Sequence, residues 1–205
     1  MVETVQVGHK VPEFEIESYN PTKGDFDKVS LKANMAAGKW TLLYFYPADF
    51  TFVCATEFAS LADKQDQFSE LGVEIVTVST DTKFVHRAWK ESEGALEEAR
   101  YQMGADPTGY LSRMFGVYMD QAGVALRGSF LIAPDGTLFN SEINFLNLGR
   151  NVDEWLRKVR ANLYLGQHAD EALPAQWNDE GDTTLPPCVT MVGHVKEALG
   201  KGGKI

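Results

Sequence analysis

Hydrophobic and polar positions along this chain follow two periods. Residues 40–46 form an unbroken apolar and aromatic run that stops at Pro47, which predicts a buried strand. After a short loop, Phe58, Leu61, Ala62 and Phe68 recur at helical spacing, which predicts a long helix from Ala55 to about residue 71. Val73-Glu74-Ile75-Val76-Thr77-Val78-Ser79 is β-branched and bounded by Gly72, and reads as a second central strand. Asp81 or Thr82 can cap a helix running to about Glu93. The glutamate-rich stretch that follows, through Arg100, reads as loop or helix without a definable end. Asp106-Pro107-Thr108-Gly109 caps a short helix to Phe115. Residues 127–133 predict a strand, Pro134-Asp135-Gly136 a turn and residues 138–144 its hairpin partner. Asn151 or Asp153 caps a helix carrying Trp155, Leu156, Val159 and Leu163. Ahead of all these, residues 5–16 read as a leading segment extended around Phe14, and residues 28–36 as a strand with a helical turn.

From Leu165 the character changes. Residues 167–187 are rich in proline, aspartate and alanine and show little periodicity. They predict an extended arm, so the expected organisation is a domain over 1–165 and an arm over 166–205. An arm of this length is expected to pack on a neighbouring subunit.

Composition narrows the function classes. The net charge of −10 argues against a phosphate backbone as partner, so no nucleic acid is expected. No apolar run approaches the roughly 20 residues of a membrane helix. Met1-Val2-Glu3-Thr4 has neither a basic patch nor an apolar core, so a cytoplasmic protein with reduced thiols is expected. The chain has two cysteines, and its four histidines, His9, His86, His168 and His194, lack zinc-ligand spacing with either. No metal and no cofactor are expected. The glycine-lysine segment Gly200 to Lys204 lacks the spacing of a phosphate-binding loop.

Cys54 sits where the first strand hands over to the first long helix. The leading amides of a helix have no intrahelical acceptor and its dipole favours negative charge, which biases a thiol there toward thiolate. Thr51, three residues earlier, can aim its hydroxyl at the same point, or can cap the helix. Cys54 is equally readable as a small apolar residue filling the junction.

The string Pro47-x-x-x-Thr51-x-x-Cys54, inside the run from Phe45 to Phe58, resembles the active-site signature of the peroxiredoxins, nearest to the bacterial alkyl hydroperoxide reductase C group. The likeness continues in Ser79-Thr80-Asp81-Thr82, His86-Arg87-Ala88-Trp89, Asp106-Pro107-Thr108-Gly109, Arg127-Gly128-Ser129-Phe130, Gly149-Arg150 and Leu156-Arg157-Lys158, and spans about Gly8 to Val192. It implies an α/β protein of thioredoxin-like fold, a central mixed sheet flanked by helices. The predicted order β-α-β-α-β-β-α agrees. N-terminal additions and an extended C-terminal arm complete the expected architecture. It also implies a thiol-dependent peroxidase that reduces hydroperoxides. By the same resemblance Cys54 is the peroxidatic nucleophile, Thr51 holds the peroxide, Pro47 shields the thiolate, and Arg127 lowers its pKa and stabilises the moving charge. Glu57 and Arg150 match a pair that orients the active-site arginine. Partners implied are a hydroperoxide, a thiol reductant (thioredoxin, a flavoprotein reductase or a small thiol) and a second copy, with dimers closing into a decameric or dodecameric ring. Trp40, Phe84 and Trp89 read as interface aromatics or as core.

The chain departs from the pattern in the arm. Glu171-Ala172-Leu173-Pro174-Ala175-Gln176-Trp177 carries leucine where the group has its resolving cysteine. The other thiol, Cys188, lies in Leu185-Pro186-Pro187-Cys188-Val189. It reads as a relocated resolving thiol, as a bystander, or as unused in a one-cysteine cycle with an external thiol. Ala55 replaces the usual proline, with the same helix start expected. The resemblance also implies resistance to overoxidation, because the Gly-Gly-Leu-Gly after the second helix and the Tyr-Phe end that make members of the group prone to it are absent. A ring-forming holdase with secondary or lost peroxidase activity is the alternative. A disulfide oxidoreductase would need Cys-x-x-Cys, and Glu57 stands at the second cysteine's place.

Overall fold

The computed structural model describes residues 4–199. Met1-Val2-Glu3 and the segment Gly200 to Lys204, read above from sequence, lie outside the described residues. The chain forms two compact units, Met1–Val152 and Asp153–Ile205.

In chain order the first unit holds β1 (Glu15–Asn20), β2 (Asp25–Ser30), α1 (Leu31–Ala36), β3 (Trp40–Phe45), α2 (Phe52–Glu70), β4 (Val73–Ser79) and α3 (Lys83–Ser92). A 3-10 turn at Gly94–Leu96 leads to β5 (Gln102–Ala105) and α4 (Tyr110–Met114). Then come β6 (Tyr118–Met119), β7 (Val124–Ala125), β8 (Arg127–Ile132) and β9 (Leu138–Asn144). Seven strands make one sheet in the order β2-β1-β5-β4-β3-β8-β9, and β6 with β7 makes a small ribbon. β3, β4 and β5 run parallel, while β1 and β8 flank them antiparallel, so the sheet is mixed. This is the expected thioredoxin-like arrangement with additions in front.

The structure departs from the predicted elements at the start of α2 and at β5. The first long helix begins at Phe52, three residues before its apolar periodicity does. Thr51 is the N-cap in extended conformation, and the leading Phe52 is 93% exposed, so it contributes nothing to the buried stripe. Strand β5, absent from the predicted elements, follows the stretch through Arg100 that has no definable end; it is short, and Gly104 interrupts its pattern. An added Cβ at Gly104 would lie 2.6 Å from the tip of Ile16 and 3.3 Å from the Thr77 carbonyl, so glycine eases the close packing of β5 there.

Period-two alternation sorts the central strands onto two faces. Leu43 and Phe45 of β3 point to one side, where they join Val76 and Val78 of β4 and Phe130 and Ile132 of β8 in a buried cluster. Tyr44 and Tyr46 lie on the opposite face. There Tyr46 packs against Phe58 of α2 and Trp89 of α3, with ring centroids 4.9 and 5.9 Å away. Trp89 is therefore core, not interface, whereas Phe84 stays exposed and Trp40 is half-buried beside Phe139. By the same alternation Arg127 and Ser129 of β8 share the Tyr44 face.

The second unit begins with the long helix α5 (Val152–Gln167), whose first residue still belongs to the first unit. The arm beyond it is pinned within its own unit. Arg157 donates to the Trp177 carbonyl at 2.8 Å, Tyr164 donates to Glu171 at 2.9 Å, and Ala172 and Leu185 form an isolated antiparallel bridge. Trp177 is buried, its ring 5.7 Å from Tyr164. Leu173 lies inside this pinned loop and Cys188 lies after it, exposed. A four-residue helix α6 (Val195–Ala198) follows.

Candidate active site

Strand β3 ends at Phe45 and the chain turns through residues 46–51 before α2 begins. The turn contains Phe50 at φ 57, the only non-glycine residue with positive φ among the described residues. A bulky side chain adopts that conformation at a cost, so the neighbouring structure must hold it. Asp49 does so. Its carboxylate accepts from the Tyr46 hydroxyl at 2.6 Å and lies 2.7 Å from His86 Nδ1, while its backbone N–H donates to Asp81 Oδ2 at 2.8 Å. His86 Nε2 faces the Gly104 carbonyl at 3.1 Å. Asp81 is itself fixed by the Ser79 hydroxyl at 2.8 Å. Burial raises the Asp49 pKa above the usual carboxylate value, against the lowering effect of His86. Burial also pushes the Tyr46 phenol well up, with Asp49 adding to it, so Tyr46 remains a donor.

This network was not read from the sequence. A signal for it exists: His86 and Trp89 sit one helical turn apart on the buried face of α3, which asks what the ring bonds to. Replacing Asp49 by alanine would strand the Tyr46 hydroxyl and the His86 ring. We expect a loss of about 3 kcal/mol in urea unfolding, together with slower chemistry at the adjoining loop.

Cys54 is the third residue of α2 and is fully buried. Arg127 Nη1 reaches its sulfur at 3.2 Å and also donates to Glu57 Oε2 at 2.7 Å, while its Nε donates to the Leu146 carbonyl at 2.7 Å. Arg127 is 3% exposed, so the arginine that opens β8 is an inward charge and not a surface one. Glu57, one turn after Cys54, accepts four donors. They are Arg127 Nη1 and the backbone N–H, Nε and Nη2 of Arg150, the last three at 2.9, 2.9 and 3.0 Å. Arg150 Nη1 donates to the Gly128 carbonyl at 2.8 Å and to the Ser129 hydroxyl at 2.9 Å. Gly149 makes room for this approach, since a Cβ there would lie 3.3 Å from Val53 and 3.8 Å from Glu57. Two residues that are 93 apart in sequence thus form one bidentate ion pair beside the thiol.

Thr51 stands at the N-cap position but does not cap with its side chain. Its hydroxyl donates to the Ala48 carbonyl at 2.8 Å. Pro47 is half-buried at the start of the same loop. Pro47 and Thr51 thus lie on the loop that leads into α2, Cys54 in its first turn, with Arg127 on the thiol and Arg150 tied to Arg127 through Glu57. Cys188 belongs to the second unit, where its sulfur lies 3.1 Å from the Thr190 hydroxyl. Among the described residues no cluster of histidine, cysteine, aspartate and glutamate could hold a metal ion.

A buried thiol at a helix start, facing an arginine on a thioredoxin-like sheet, defines a class: proteins that do chemistry with a single activated cysteine. Comparison with known proteins narrows it. The profile of the AhpC/TSA family matches residues 7–140. Alkyl hydroperoxide reductase C of Staphylococcus haemolyticus is 39% identical over 189 residues, covering 92% of this chain and 98% of the relative. The protein of the same name from Salmonella typhimurium is 37% identical over the same shares. Among solved structures, Enterococcus faecalis AhpC aligns with a TM-score of 0.78 at 37% identity, covering 83% of this chain and all of that one. The reduced 2-Cys peroxiredoxin of Plasmodium vivax aligns with a TM-score of 0.83 at 34% identity, covering 89% and 93% of the two chains. The chain belongs to the AhpC/TSA family of peroxiredoxins. It is an oxidoreductase of that kind, a thiol-dependent peroxidase.

Proposed function

We propose that Cys54 is the nucleophile that takes an oxygen from a hydroperoxide, with Pro47, Thr51 and Arg127 completing its site. The observation that carries this reading is the 3.2 Å contact from the Arg127 guanidinium to a sulfur buried in the first turn of α2. A cation and the leading helix amides both favour the thiolate. The thiolate attacks the terminal oxygen of ROOH. An S–O bond forms, the O–O bond breaks in line, and the electron pair leaves on RO⁻, which takes a proton to become water or an alcohol. Arg127 and the free amides at the start of α2 face the oxygens as their charge changes. Thr51 spends its proton on the Ala48 carbonyl, so its oxygen is left to accept the hydrogen of the peroxide. Pro47 walls the loop side of the thiol. Glu57 and Arg150 hold Arg127 in place.

The substrates are hydrogen peroxide and organic hydroperoxides, in keeping with the names of the relatives. The completeness of the Cys54, Arg127 and Glu57 set favours chemistry over a holdase alone. The enzyme works in the cytoplasm, where a thiol reductant returns it to the reduced state. It assembles as a dimer and then a ring through residues 166–205 and apolar contacts. Ile143 of the outer strand β9 with Phe145 and Leu148 just after it, and Phe50 and Phe52 at the start of α2, are exposed apolar residues for such contacts.

Resolution of the Cys54 sulfenic acid falls to Cys188. This thiol is exposed, lies after the pinned loop that holds Leu173, and is flanked by the exposed Val189 and Val192. Cys188–SH and Cys54–SOH combine to a disulfide and release water. Cys54 is fully buried, so its thiol must leave its pocket to meet another thiol. The test is a non-reducing gel of reduced protein given one equivalent of hydrogen peroxide. The expected result is a covalent dimer that disappears in Cys188→Ser. A monomer band that is the same in both proteins would remove Cys188 from bridging between subunits and point to an external thiol.

A further inference from the structure

Tyr44 is a fully buried residue for which the reaction as described has no use. The Arg150 guanidinium carbon sits over its ring, 3.2 Å from the ring centroid. Its hydroxyl has no hydrogen-bond partner, so the polar atom adds a desolvation cost and no bond. Burial pushes the phenol far above its usual pKa, and it stays neutral.

In the plane of the guanidinium, Nε and Nη2 are held by Glu57 and Nη1 by Gly128 and Ser129. Those bonds fix the plane's edges and leave out-of-plane tilt opposed only by whatever lies on its faces. Tyr44 covers one face, from a central strand paired on both sides, to Thr77 and to Ser129. A cation above an aromatic face, away from water, is held by the ring quadrupole.

We propose that Tyr44 is a positioning residue for the peroxidatic thiol: its ring holds the Arg150 guanidinium flat, and through Arg150 and Glu57 it keeps Arg127 on Cys54. The chain of contacts is continuous. It runs from the Tyr44 ring to Arg150, to both Glu57 oxygens, to Arg127 Nη1 at 2.7 Å and to the Cys54 sulfur at 3.2 Å. The inference rests on Cys54 being the reacting thiol.

The test separates the ring's electrons from its bulk. Tyr44 is replaced in the full chain by phenylalanine and then by mono-, di- and trifluorinated phenylalanine. These have nearly the same size and apolar character, so folding is preserved. The rate of Cys54 oxidation by hydrogen peroxide is followed across pH, with melting temperatures alongside. Phenylalanine should react within about twofold of the wild-type rate, because it keeps the ring face. The rate should then fall with each fluorine, to about tenfold at three, equivalent to about 1.4 kcal/mol of barrier. The pH profile should move to higher pH in the same order, while melting temperatures stay level. A flat series would overturn the proposal, and so would a loss already complete at phenylalanine. Wild-type protein that leaves peroxide unreduced would instead remove the Cys54 reading itself.

Discussion

Cys54→Ser is expected to stop peroxide reduction, by roughly four orders of magnitude or more, the scale of loss when a nucleophile is removed. A serine hydroxyl at that place is protonated at neutral pH and has no lone pair soft enough to attack an O–O bond. The change should leave the fold nearly untouched. Cys54 is fully buried, and among the described residues its sulfur accepts from the Arg127 guanidinium, from which a serine oxygen can also accept a bond. The melting temperature should therefore stay within the effect of about 1 kcal/mol. The measurement is peroxide consumption with a generic thiol, beside a thermal melt. An active Cys54→Ser enzyme would move the chemistry elsewhere.

The second large effect is expected at Glu57. This carboxylate is 2% exposed and is the shared anion of two buried arginines. Glu57→Gln keeps the shape but removes the charge, and it turns an NH2 group toward guanidinium donors. Two cations are then left in a low-dielectric site without a counter-ion. Breaking a buried pair in this way costs about 3–5 kcal/mol, which for a chain of this size is a fall of roughly 10 °C in melting temperature. Arg127 also loses the group that aims it at the thiol, so the peroxide rate should fall by at least about tenfold. Urea unfolding and peroxide kinetics on the same preparation check both halves. Unchanged stability would mean that the arginines find other acceptors.

Much of this site was legible in the sequence because it is local. Pro47, Thr51, Cys54 and Glu57 fall within eleven residues, and a strand, a turn and a helix fix their relation. Arg127 and Arg150 were legible only through the family resemblance. Taken alone they are two charges far along the chain, and nothing in their neighbourhoods marks them as inward-facing. The antiparallel pairing of β8 beside β3 brings Arg127 in and the loop after β9 brings Arg150 in, and neither is written in local periodicity. The Tyr46–Asp49–His86 network was missed for the same reason, since His86 meets Asp49 across 37 residues. Tyr44 was read as one more apolar position in a buried strand, which it is from β3 alone. Its stacking on Arg150 depends on the loop after β9. The start of α2 was misplaced because its leading residues face outward, so the apolar stripe begins after the helix does.

The account stands most directly on the fate of one sulfur. Reduced Cys188→Ser protein should be treated with one equivalent of hydrogen peroxide, and its Cys54 peptide weighed with and without a 1,3-diketone trap for sulfenic acid. The account predicts that the peroxide disappears in step with a gain of one oxygen on Cys54, and that the trap captures it. Peroxide left in solution beside an unmodified Cys54 would contradict it.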